Sequence, residues 1–147
     1  VHKVGNVIGE RRGADAKKTL VLAAHLDTVF DETTDVTVKR DGNLLKAPGI
    51  SDDGRGLTLL LAIARALNLA RIETDGTIIF VANVAEEGLG DLKGMRHLFG
   101  EELKDKITHF ISIDGAGLGL THAAVGSRRY RTTFRGAGGH SYSAFGM

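Results

Sequence analysis

With 147 residues the chain can build one ordinary domain with a core of its own, and it falls short of two. Its 19 basic and 18 acidic residues nearly cancel, which removes any global electrostatic argument for nucleic acid, an anionic membrane surface or a highly charged partner. The absence of cysteine excludes disulfides and thiolate metal sites, so any metal must be held by His, Asp and Glu; it also fits a reducing compartment, and the cytoplasm is the expected location.

In chain order, "TLVLAAHLDTVF" (19–30) opens as an apolar strand over 19–26. It turns polar after placing His25 and Asp27 two residues apart, on one side of an extended backbone. "VTVKRDGNLLKAPG" (36–49) reads as a small hairpin with Asp41 and Gly42 at its turn. The stretch "DGRGLTLLLAIARALNL" (53–69) is a helix that is apolar on nearly all sides, as expected of one enclosed within a larger protein. Residues 77–84 form a second apolar strand, roughly 91–99 a helix capped by Asp91, and 107–113 a third strand. Strands alternating with helices predict an α/β layered sheet. The 20 glycines, about twice the usual share, punctuate the element ends. "SRRYRTTFR" (127–135) then alternates with period two: Arg129, Arg131, Thr133 and Arg135 oppose Arg128, Tyr130, Thr132 and Phe134, so a new strand and a second domain are expected. No segment reaches the ~18 apolar residues of a membrane span. The chain begins at Val1 and ends at Met147 directly after "GGHSYSAFG", and is expected to be part of a longer one.

Acidic and imidazole groups close all three apolar strands: His25 and Asp27 the first, Glu86 and Glu87 the second, Asp114 the third. Asp52 and Asp53 stand at the start of the long helix. Each has an ordinary explanation. A lone His-x-Asp is usually a solvated pair, paired aspartates suit a helix N-terminus, two glutamates suit a wet loop, and Asp114 before "GAGLG" suits a turn. Those explanations must hold four times at the same relative place, whereas one crevice at the carboxyl edge of a sheet accounts for all of them. One histidine with several carboxylates suits zinc, cobalt or manganese in a hydrolase; "SDDGRGL" lacks the calcium-loop pattern, and "GAGLGL" puts leucine where a dinucleotide fingerprint needs its third glycine. No function is expected of His2, His97, His109 or His122.

The ordered motifs "HLDTV", "GISDDGRG", "AEEG", "SID" and "GGHS" resemble the co-catalytic zinc peptidase family that contains glutamate carboxypeptidase, peptidase T, aminoacylase and succinyl-diaminopimelate desuccinylase, from about residue 4 to the end. The resemblance implies a three-layer α/β/α sheet of zinc-peptidase type over 1–124, followed over 125–147 by the first strand of an α+β lid or dimerisation domain. It implies two zinc ions, replaceable by cobalt or manganese. His25 and Asp114 would hold one, Glu87 the other, and Asp52 would bridge both. Asp27 would accept the imidazole proton of His25, Glu86 would be the general base, and His140 would be a lid histidine that binds substrate in a partner subunit's site. The peptide bond between Asp52 and Asp53 tends to be cis in such proteins. A last histidine ligand, contributed in the family by a later segment, has no match by order, so this piece is expected to bind metal weakly and turn over poorly.

The implied activity is hydrolysis of peptide bonds by an aminopeptidase or small-peptide peptidase that works as a homodimer. The leaning toward aminopeptidases rests on Asp114, where carboxypeptidase- and deacylase-like relatives often carry Glu. An N-acyl amino acid deacylase and a catalytically inert fragment are the alternatives. A non-enzymatic module offering the basic face of 128–135 to an anionic partner is a further one, although arginines on the exposed face of a lid strand explain that pattern equally.

Overall fold

The computed structural model describes residues 4–140 and 142–143. Strand β2 (Asp15–His25) is apolar in both registers of its pleat from Leu20 to Ala24, so that part can be buried on both faces and takes a central place in the sheet. Its parallel neighbours are β5 (Gly76–Asn83) on one side and β6 (His109–Ser112) on the other; β1 (Val7–Arg11) runs antiparallel along the far side of β5. The order is β1-β5-β2-β6. His25 lies opposite Asn83, and Ala23 opposite Ser112, so the carboxyl ends of β2, β5 and β6 meet along one edge.

Alternation then sorts the core. Val21, Ala23, Ile79 and Val81 point to one face, where they pack with Met95 of helix α2 (Lys93–His97) and Leu98 of the π-helical turn Leu98–Glu102. Leu22 and Ala24 point to the other, against Leu57, Leu60 and Ile63 of helix α1 (Gly54–Leu69). Three layers result, helix on sheet on helix, as the motif resemblance implies. Full burial of side chains such as Val21, Val81 and Leu98 contributes roughly 1.5–3 kcal/mol each.

Four local expectations change. Strand β1 has no apolar signature in the sequence, because "VIGERRG" carries three charges in seven residues; an edge strand with one free side tolerates Glu10 and Arg11. The hairpin of β3 (Lys39–Asp41) and β4 (Leu44–Lys46) turns at Gly42 and Asn43, one residue later than expected, and Gly42 supplies the left-handed φ of +57°. Asp91 does not cap α2. It is itself left-handed, as is Leu92 at the N-cap, and its carboxylate lies 3.8 Å from Arg96. The helix is seated by the Gly94 N–H donating to the Val84 carbonyl at 3.1 Å. Finally, 128–135 forms no strand: among the described residues no neighbouring strand accepts its backbone groups, and an unpaired strand leaves them to water.

The enclosure expected for α1 is also one-sided. Gly56 and Leu60 are buried, but Leu59, Leu61 and Leu69 on its outer side are 45%, 74% and 74% exposed. The described chain divides into two compact units between Gly117 and Leu118. Among the described residues, no helix is long and apolar enough to cross a membrane.

Candidate metal centre

The edge where β2, β5 and β6 end carries the residues singled out from the sequence. His25 is the last residue of β2, Glu86 and Glu87 follow β5, Asp114 follows β6, and Asp52 precedes α1. The His25 ring is almost wholly buried. Its Nδ1 lies 2.7 Å from the backbone carbonyl of Asp27, which can accept only from an Nδ1–H, and its Nε2 lies 2.8 Å from Asp52 Oδ1. This differs from the expected arrangement: the carbonyl of Asp27 fixes the tautomer, while its carboxylate stays 3.9 Å from Nδ1. The Asp27 carboxylate instead accepts two backbone N–H groups, from Glu86 at 3.2 Å and from Glu87 at 2.9 Å. A carboxylate on the β2 end therefore anchors the loop that carries both glutamates.

With Nδ1–H committed, the Nε2 lone pair and the Asp52 carboxylate face each other as two acceptors, an arrangement stable only with a proton or a cation between them. Donor atoms of His25, Asp52 and Glu87 lie within 4.8 Å of one another, and so do donor atoms of His25, Asp53 and Asp114. The two sets share the imidazole. An oxygen and nitrogen donor set of this kind fits zinc or manganese. Burial opposes a charge on His25, but the Asp27 carbonyl, the Asp52 carboxylate and the charges of Asp53 and Glu86 outweigh it, and the pKa is raised. Burial likewise raises the carboxyl of Glu86, with Glu87, Asp114 and Asp27 acting in the same direction and His25 against it.

Asp52 and Asp53, joined by a cis peptide bond as the resemblance implies, divide two tasks. Asp52 is exposed and turned to the imidazole. Asp53 is 2% exposed and caps α1 by accepting from the Gly56 N–H at 2.9 Å; its other oxygen accepts the His25 backbone N–H at 3.0 Å. Both oxygens are thereby engaged, so Asp53 serves as a tether between β2 and α1. Burial is the main reason its carboxyl lies above the usual range. The capping half of this tether is legible from an aspartate at the start of the helix; the bond to the His25 N–H is not, and Gly56 leaves room for it, since an added Cβ there would stand 2.2 Å from Asp53 Oδ1. Asp114 is exposed, and one of its oxygens accepts from the N–H of Gly115. His140 belongs to the second unit, where its Nδ1 accepts from the N–H of Tyr142 at 3.2 Å. Of the other histidines, His97 is 3.3 Å from Glu101 and His109 pairs with the Thr108 hydroxyl at 3.1 Å, and His2 lies outside the described residues.

A family model described as peptidase family M28 matches residues 6–139. A vacuolar membrane protease from Vanderwaltozyma polyspora is 28% identical over 102 residues, covering 69% of this chain and 9% of that protein. Among solved structures, a tripeptidase from Staphylococcus aureus subsp. aureus Mu50 is similar with a TM-score of 0.56 at 26% identity, over 76% of this chain and 30% of that one. LapB from Legionella pneumophila shares the fold, with a TM-score of 0.50 at 24% identity over 74% of this chain and 26% of that one. The chain thus spans less than a third of the length of each of these relatives. The matched span ends one residue before His140 and takes in His25, Asp52, Glu86, Glu87 and Asp114; the chain belongs to peptidase family M28.

Proposed function

We propose that the full-length protein is a zinc-dependent peptidase of small peptides, with its centre at the carboxyl edge of the sheet. The observation that carries this reading is the convergence of His25, Asp52 and Glu87 donor atoms within 4.8 Å, from three separate stretches of a chain that belongs to a peptidase family. His25, Asp52, Glu87 and Asp114 would hold two zinc ions, which when bound supply an activated water and polarise the scissile carbonyl. Glu86 is the proton acceptor. Its carboxyl, raised by burial, stands closer to neutral pH than an ordinary glutamate, which suits a group that must take a proton from water and return it to the leaving nitrogen. Asp27 fixes that carboxyl in place by holding the backbone N–H groups of Glu86 and Glu87. His140 is assigned to substrate binding and the second unit to pairing of two copies, both on the motif resemblance.

The test is a side-by-side assay of the full-length protein on di- and tripeptides and on N-acetyl amino acids, with its zinc content measured. Peptide cleavage with bound zinc is expected; hydrolysis confined to N-acetyl amino acids would replace the peptidase reading with a deacylase. Glu86→Gln should lower kcat by a factor on the order of 10² to 10⁴ while zinc content is unchanged. Wild-type turnover by that variant would remove Glu86 from its role.

A further inference from the structure

Asn6 lies outside every motif discussed so far, and its residue surface is 0% exposed. Its amide is used at both ends: Nδ2 donates to the Gly94 carbonyl at 2.9 Å, and Oδ1 accepts from the Val84 N–H at 3.2 Å. Val84 opens the loop that carries Glu86 and Glu87, Gly94 lies in the first turn of α2 just beyond it, and the two are joined by the Gly94 N–H donating to the Val84 carbonyl at 3.1 Å. One buried side chain therefore closes the neck of the loop. Between its ends the backbone is left-handed at Ala85, Asp91 and Leu92, a conformation that side-chain-bearing residues keep only where the surroundings enforce it. The fit at the neck is close: a Cβ on Gly94 would stand 2.5 Å from Asn6 Oδ1.

We infer that Asn6 is a positioning residue for Glu86 and Glu87, acting through the backbone at Val84 and Gly94. This rests on the peptidase reading of the same centre. Asn6 closes the neck of the loop and Asp27 holds the backbone at Glu86 and Glu87, so the two carboxylates are presented to His25 and Asp52 by a backbone held at four residues. An ionised aspartate at position 6 keeps the acceptor for Val84 but sets a negative oxygen against the Gly94 carbonyl; alanine removes both bonds.

The experiment compares the full-length wild type with Asn6→Asp and Asn6→Ala, using Arg11→Ala as a control. Arg11 joins β1 to the end of α1 through Asn68 and the Ile72 carbonyl, remote in sequence from the loop. Three quantities are read: amide hydrogen exchange over 84–94 in metal-free protein, zinc affinity by competition with a chelator, and kcat against KM. Both Asn6 variants should exchange faster at Glu86 and Glu87, bind zinc about tenfold or more weakly, and lose kcat with KM little changed. Arg11→Ala should lower Tm without moving loop exchange or zinc affinity. Unchanged loop exchange and zinc affinity in both Asn6 variants, with wild-type zinc binding intact, overturns the inference alone. Wild-type protein that binds no zinc overturns the peptidase reading and the catalytic sense of the inference together, whatever the exchange data show.

Discussion

At the scale of single residues, the centre depends on carboxylates with different duties placed side by side. Asp52 and Asp53 are chemically identical neighbours, yet one faces the His25 ring from the surface and the other is buried with both oxygens bonded to backbone N–H groups. Removing the buried one therefore acts on folding. Asp53→Ala deletes the α1 cap and leaves the buried His25 N–H without an acceptor, a combined loss of roughly 2–4 kcal/mol. Urea denaturation of metal-free protein should show that loss, whereas Asp52→Ala, which removes one bond to the His25 ring from an exposed position, should cost only about 1 kcal/mol. Equal losses in the two variants would contradict the division of labour.

At the scale of elements, the parts legible in the sequence were those whose signal is local. The apolar runs of β2, β5 and α1 announce themselves, and the donors at their ends follow because functional groups gather where parallel strands finish. What stayed hidden depends on contacts between distant segments. β1 is a strand only because β5 offers it an edge, α2 starts where Val84 and Asn6 seat it, and the Asp53 tether exists only once β2 and α1 are adjacent. The period-two pattern of 128–135 failed for the converse reason, since alternation describes a face but supplies no partner. α1 permits a test of its two sides. Leu60, 5% exposed, packs on Leu22 and Ala24, so Leu60→Ala should cost about 2–5 kcal/mol of unfolding free energy. Leu61, 74% exposed on the same helix, should accept Leu61→Lys within about 0.5 kcal/mol by the same denaturation measurement.

For the molecule as a whole, the raised pKa values of His25, Asp53 and Glu86 act with one sign. Each means that the metal-free folded chain holds protons more tightly than the unfolded chain. The stability linked to them is complete below the unfolded values, about 4 for the carboxyls and about 6.5 for the imidazole, and is lost as pH rises through the raised ones. Zinc binds the deprotonated donors, so loading it should invert the trend. Urea midpoints between roughly pH 5 and 8 should fall with pH in EDTA and rise with pH in excess zinc. Slopes of equal sign in the two series would count against His25 as a ligand of the ion.

His25, Asp52, Glu87 and Asp114 follow one another at intervals of about thirty residues, so no short peptide cut from this chain contains the whole set, and each donor waits on a separate loop closure. The centre comes into being only after β5 and β6 have docked on β2. An ion held by this set would therefore arrive last, and its effect would fall on departure from the finished state, as a latch that slows reopening rather than a seed that starts assembly.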